Sequence, residues 1–261
     1  MTHSSRSGRR QKLPPASYRD RRYRQCVRAA GLVAFQVVCE QTDLMIQADV
    51  PLADPARERV LHYRAHLEGY IEQHSEFAAS MVPWPASTPA PLIVRRMIDA
   101  GQAAGVGPMA AVAGAMAECV GRDLLAFSRQ VIVENGGDLF LKTAAPIVTG
   151  IFAGASPLSM KIGLRIDDVQ DGMGVCTSSG TVGHSLSQGT ADAVCVVSRS
   201  CALADAAATT IGNRVSCADD IQPAICFGRG IDGVLGMVIV IGEKLGVWGA
   251  VELVPLAGKK G

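Results

Sequence analysis

Asp205 and Thr209 stand four residues apart in LADAAATTIGN (203–213), a spacing that puts a carboxylate and a hydroxyl on one helical face, one turn apart. Two hard oxygens so placed make half a site for magnesium, which keeps water and substrate phosphates as its other ligands. The plainer alternative is that Asp205 caps the helix and Thr209 merely packs. Upstream, CTSSGTVGHSLSQGTADAV (176–194) strings Thr177, Ser178, Ser179, Gly180 and Thr181 ahead of His184, the only histidine after His74. Small donors on an irregular backbone suit an oxygen-rich ligand, and a histidine among hydroxyls has the chemistry of a general base. A long polar surface loop has the same composition.

Two further stretches are rich in glycine. ENGGDLF (134–140) places Asn135, Gly136, Gly137 and Asp138 between two strand-like runs. Paired glycines there mark a hairpin turn, or a point where a ligand or another backbone comes close. Asp138 either binds something or bonds its own turn backbone. In GVGPMAAVAGAMAE (105–118), Gly105 and Gly107 lead through Pro108 into an apolar helix. Free N–H groups and the positive dipole end at such an entry suit a phosphate, although a tight turn would read the same. No Lys-Ser or Lys-Thr follows, so this is not a P-loop.

The elements that must hold these residues are legible from pattern. LVAFQVV and LMIQADV, joined by CEQTD, read as a hairpin. Asp54 as N-cap and Pro55 at the first position open a helix that runs to about Ser75. PWPASTPAP (83–91) carries four prolines in nine residues and is a linker or crossover. Helices are expected over 92–104, 109–120 and 203–211, and strands over 131–135, 139–142, 147–153, 161–166, 193–198, 233–241 and 249–254. Late strands with mid-chain helices favour an α+β fold of two layers, an extended and largely antiparallel sheet packed with helices, over an alternating doubly wound one.

Composition narrows the function classes. With 48% hydrophobic and 19% charged residues the 261-residue chain can bury a large core, and a net charge of +1 gives no overall bias toward nucleic acid or an anionic membrane. The bias is local. Residues 1–28 hold nine of the 25 basic residues against the single acid Asp20. Residues 1–17 are expected to be a disordered basic arm, with 18–261 as one domain. Such an arm is either a solvated tail, a binder of nucleic acid or acidic partners, or a segment packed near the site with its guanidinium groups on phosphates. No export signal is visible and the apolar run 31–39 is too short to span a bilayer, so a cytoplasmic protein is expected. Eight cysteines form no CxxC pair and read mostly as small buried hydrophobes.

Taken in order, the four stretches resemble the ApbE family of flavin transferases, which move FMN from FAD onto a threonine or serine of an acceptor protein with magnesium. The match is to a poorly characterised cytoplasmic branch and extends to QTDLMI, to HSEF (74–77) and to the opening YRDRRYR. The resemblance implies an ApbE-like, T-fold-like architecture with FAD or FMN as ligand or substrate. It implies Asp205, Thr209 and the backbone carbonyl near Ala113 as magnesium ligands, and His184 at the active-site histidine's place. The glycines at 136, 137 and 180 would let the backbone approach the nucleotide. It also implies an acceptor protein as a possible partner, while the charge balance and the short apolar run give no membrane partner and leave nucleic acid unexpected, and a homo-oligomer stays open. Three departures stand out: Ala113 precedes Gly114 where the family has a lysine, His184-Ser-Leu-Ser-Gln replaces His-x-x-Asp-Pro, and there is no lipoprotein export signal. A non-catalytic flavin-, nucleotide- or anionic-metabolite-binding protein on the same fold is the alternative.

Overall fold

A computed structural model describes residues 24, 27, 29, 31–86, 89–167, 169–180 and 189–256. The expected basic arm (1–17), Thr181 and His184 lie outside the described residues. The molecule is built around an eight-stranded antiparallel sheet in the order β1-β2-β3-β4-β7-β8-β9-β10. Its strands are β1 (Val33–Cys39), β2 (Thr42–Ala48), β3 (Val131–Asn135), β4 (Asp138–Lys142), β7 (Met173–Ser178), β8 (Ala193–Ser198), β9 (Val234–Ile241) and β10 (Lys244–Gly249). A second sheet, in the order β11-β6-β5, joins β5 (Ile147–Gly150), β6 (Ile162–Ile166) and β11 (Glu252–Pro255).

Successive residues of a strand face opposite ways, and across the central strands both faces are buried. Val131, Val133, Phe140, Cys176, Val194, Val196, Met237 and Ile239 meet the helices in one core. Ile132, Leu139, Leu141, Val175, Cys195, Val197, Val238 and Val240 meet the second sheet in another. The helical layer comprises α1 (Ala53–Gln73), α2 (Leu92–Ala104), α3 (Val112–Leu124), α4 (Cys201–Gly212) and α5 (Ile221–Arg229). The α+β class and the antiparallel sheet are as expected, and the second sheet adds a third layer. β8 reads AVCVVS without alternation because it lies centrally with apolar partners on both faces.

Several elements differ from the pattern reading. β7 and β10 were hidden by their glycines, and α5 by Pro223, which is tolerated in a first turn. The glycine in β7 has a packing cause. A Cβ on Gly174 would lie 2.4 Å from Cα of Cys201, so α4 rests directly on the strand. Helix α1 begins one residue before Asp54. Leu52 is its N-cap, Asp54 lies in the first turn, and Pro55 falls where an N–H has no intrahelical partner. Among the described cysteines, Cys39, Cys119, Cys176, Cys195 and Cys201 are buried, while Cys217 and Cys226 are exposed. No single helix among the described residues is long and apolar enough to cross a membrane.

Candidate functional site

Helix α4 carries Asp205 and Thr209, and its placement is heavily determined. Ser200 caps it, its Oγ accepting from Leu203 N at 3.2 Å. The first helical N–H, of Cys201, donates to Glu118 Oε2 at 2.9 Å. Glu118 is 1% exposed and is paired by Arg96 and by Arg122 Nε at 2.8 Å. A run of alanines then lets α4 sit close against α2, α3 and β7. At the α3 crossing, a Cβ on Gly114 would lie 2.3 Å from the Cys201 carbonyl oxygen, leaving room for glycine alone.

That crossing aims Asp205 at the start of α3. The N–H of Gly114 donates to Asp205 Oδ2 at 2.9 Å, and the N–H of Ala113 also bonds the carboxylate. The carbonyl of Ala113 accepts from Asn135 Nδ2 at 3.1 Å, which ties α3 to the end of β3. Next to Asn135 the chain reverses through Gly136 (φ 66°) and Gly137 (φ 109°). Both are left-handed, the conformation a tight two-residue hairpin turn requires, with Asn135 and Asp138 paired across it.

Asp138 follows at 7% exposure, and its Oδ1 accepts from Thr177 N at 3.2 Å on β7. Burial pushes its pKa up to about 7. The Thr177 N–H and the Cys176 thiol oppose the shift, and the Glu134 charge adds to it. Asp205 keeps some surface toward the cleft, yet burial likewise holds its pKa well above the usual carboxylate range. The charge of Asp138 reinforces that shift, against the N–H groups of Gly114 and Ala113. Two carboxylates are thus held in one enclosed cleft. Beside them Ser178 Oγ is buried and has no hydrogen-bond partner among the described residues, which is costly unless a ligand supplies one.

The cleft collects Gly136, Gly137, Asp138, Thr177, Ser178, Ser179, Asp205 and Thr209. These are residues of three of the four stretches singled out above, brought from separate elements to one place. Its other wall lies between the two sheets and is mainly apolar, with Ile132, Leu139, Val175, Ile151 and Phe152. Gly180 packs against Gly189, where a Cβ would lie 2.1 Å from the Gly189 carbonyl oxygen.

Gly105 and Gly107 do not reach the cleft, and their N–H groups are not free for a phosphate. Gly105 is the left-handed C-cap of α2 and donates to Gly101 O. Gly107 donates to Met81 O at 3.1 Å and packs so closely that a Cβ would lie 1.8 Å from Ser80 O. The glycine-proline entry is a corner between helices because α2 must turn sharply into α3. Pattern reading also missed Arg24, Gln47, Glu134 and the Thr149–Phe152 edge of the second sheet, all of which line the cleft. Glu134 stood inside ENGGD and Arg24 inside the basic arm, but only tertiary contact joins them.

For a divalent cation the donor set is chemically apt. Asp138, Asp205, Thr209 and the Ala113 carbonyl are all oxygens, which suits a hard cation such as magnesium rather than zinc. No group of three His, Cys, Asp or Glu suited to a metal occurs among the described residues.

A family model described as AbpE of bacteria matches residues 24–229. A UPF0280 protein of Methanococcus aeolicus is 43% identical over 201 residues, 75% of this chain and 81% of its own. Another, from Methanosarcina acetivorans, is 39% identical over 234 residues, 88% and 91% of the two chains. Among solved structures, the apo flavinyl transferase ApbE of Pseudomonas stutzeri superposes with a TM-score of 0.54 at 16% identity, covering 84% of this chain and 94% of its own. The flavin transferase ApbE of Vibrio cholerae gives 0.54 at 12% identity, over 84% and 97%. At such identities these two likenesses bear on the fold.

Proposed function

The chain belongs to the bacterial AbpE family, and from that premise we propose that its cleft binds FAD or a related diphosphate nucleotide together with magnesium. The observation that carries the reading is the convergence of Asp138 and Asp205 in one enclosed cleft, both with raised pKa, beside the unpartnered Ser178 hydroxyl. Asp205, Thr209 and the Ala113 carbonyl would hold the cation, with Asp138 adding charge nearby. Bound there, magnesium would neutralise the diphosphate. The open backbone of Gly136–Gly137 admits a phosphate without a side chain in the way, and Ser178 Oγ donates to one of its oxygens. Ile132, Leu139, Val175, Ile151 and Phe152 take the flat apolar ring.

The reaction matched to this arrangement is FMN transfer onto a protein hydroxyl. The acceptor oxygen bonds to the FMN phosphorus of FAD, the diphosphate P–O bond breaks, and AMP leaves while a base takes the hydroxyl proton. His184 is the side chain assigned to that proton. A non-catalytic binding protein is the second reading, and the substitution of Ala113 for the family's lysine favours it. Calorimetric titration with FAD, FMN and ADP, with and without magnesium, on wild type and Asp205→Ala tests the site. Magnesium-dependent FAD binding that disappears in the variant is expected. Absence of binding for all three nucleotides would sink the flavin reading. Release of AMP from FAD in the presence of acceptor protein separates enzyme from binder.

A further inference from the structure

The Gly136–Gly137 turn lines the cleft, and among the described residues nothing lies within 4 Å of where either Cβ would stand. Beyond the β3–β4 pairing that leads into it, the turn is held by hydrogen bonds. One of these comes from Gly137 N, which donates to Glu134 Oε1 at 2.9 Å. The other oxygen of Glu134 lies 2.6 Å from Nε of Arg24, in ion-pair contact. The Arg24 side chain is only 6% exposed, and the remaining arms of its guanidinium reach Asp43, with Nη1 to the carboxylate at 3.0 Å and Nη2 to the backbone oxygen at 2.8 Å. Asp43 is steadied by Gln36 Nε2 at 2.8 Å. The segment that carries Arg24 is itself docked. Gln47 on β2 donates through Nε2 to Val27 O at 2.6 Å and accepts from Ala29 N at 3.3 Å.

We infer that Arg24 is a positioning residue of the cleft, which braces the Gly136–Gly137 turn through Glu134 and so fixes where Asp138 points. The basic segment thereby acts on the site through carboxylates. Glu134 is 5% exposed, so removing the Arg24 charge that lies 2.6 Å from it takes away part of what holds the buried carboxylate in place and loosens its bond to the Gly137 N–H. Lysine does not substitute, because a single ammonium cannot span Glu134 and both acceptors of Asp43 as the planar fork does.

The test uses the full chain without ligand first. Hydrogen–deuterium exchange at residues 135–138 is compared among wild type, Arg24→Ala, Arg24→Lys, Glu134→Gln and the Arg24→Ala/Glu134→Gln double variant. Loss of a charge-assisted bond is expected to speed exchange at the turn by about tenfold in each single variant and no further in the double one, with β9 unchanged. In the ligand arm, which rests on the nucleotide reading, affinity for FAD with magnesium falls by a similar factor and Arg24→Lys fails to restore it. Turn exchange that stays at the wild-type rate in Arg24→Ala, or a double variant that is simply additive, overturns the brace. A wild type that binds no FAD defeats the nucleotide reading while the exchange arm still decides the role of Arg24. Should Arg24→Ala not fold, Glu134→Gln decides alone, with accelerated exchange supporting the brace and unchanged exchange ending it.

Discussion

At the scale of single residues, the cleft holds groups that are uncomfortable in the free protein and would be relieved by a ligand. Ser178 Oγ is buried without a partner among the described residues, so Ser178→Ala is expected to leave thermal stability unchanged or slightly raised. Nucleotide affinity should fall by about 1–3 kcal/mol, the worth of a buried hydrogen bond denied its donor. Equal loss of stability and affinity would assign the hydroxyl to the scaffold. Asp138 makes a pH prediction. Its pKa is about 7 in the folded chain and about 3.9 in an unfolded one. Between those values the folded state holds the extra proton, so its stability is full at low pH and declines as pH rises through about 7. Melting in chelator should therefore fall from pH 4 to 7.5, and Asp138→Asn should remove that part of the slope. A slope identical in wild type and variant would mean that another group titrates.

At the scale of elements, the site depends on how closely α4 approaches α3 and β7. Two glycines permit it, Gly114 under the Cys201 carbonyl and Gly174 under the Cys201 Cα. Gly114→Ala places a methyl 2.3 Å from that carbonyl oxygen, which backbone must yield to accommodate. A cost of about 1–3 kcal/mol is expected from such overpacking. Because Gly114 N also holds Asp205, magnesium-dependent binding should weaken more than stability does. Denaturant unfolding beside calorimetry measures both. Gly69 on α1, where nothing lies within 4 Å of the place a methyl would take, serves as the control, since Gly69→Ala should be neutral or mildly stabilising through helix propensity.

At the scale of the whole molecule, the eight-stranded sheet is a partition with a core on each face, and the cleft opens where its polar β3–β4 and β7 ends meet α4 on one side and the second sheet on the other. A ligand seated there touches all three layers and should stabilise them together. At about 100 times its dissociation constant it would add about 2.7 kcal/mol, a rise in melting temperature of roughly 5–10 °C for a chain of this size. FAD with magnesium is expected to give that rise in wild type and none in Asp205→Ala, read by thermal scanning. A shift that survives in the variant would place the nucleotide elsewhere.

Local information in the chain was enough for what is local. The hairpin of β1 and β2, helix α2 to the residue, the Gly-Gly turn, and the face shared by Asp205 and Thr209 follow from periodicity, left-handed glycines and helical spacing. The resemblance to flavin transferases reached the right family from the order of motifs alone. What sequence order could not contain is contact between distant segments. Gly105 and Gly107 looked like an anion cradle because their N–H groups are free on paper, and only the corner between α2 and α3 uses them up. Arg24 was one charge in a basic segment that could be solvated or packed near the site, and contacts from two strands, Asp43 and Gln47 on β2 and Glu134 on β3, decide that it lies in the wall of the cleft. The meeting of Asp138 with Asp205 is decided the same way, because the desolvation that lifts both carboxylates exists only once a sheet turn and a helix from the second and the last of the four stretches are packed together.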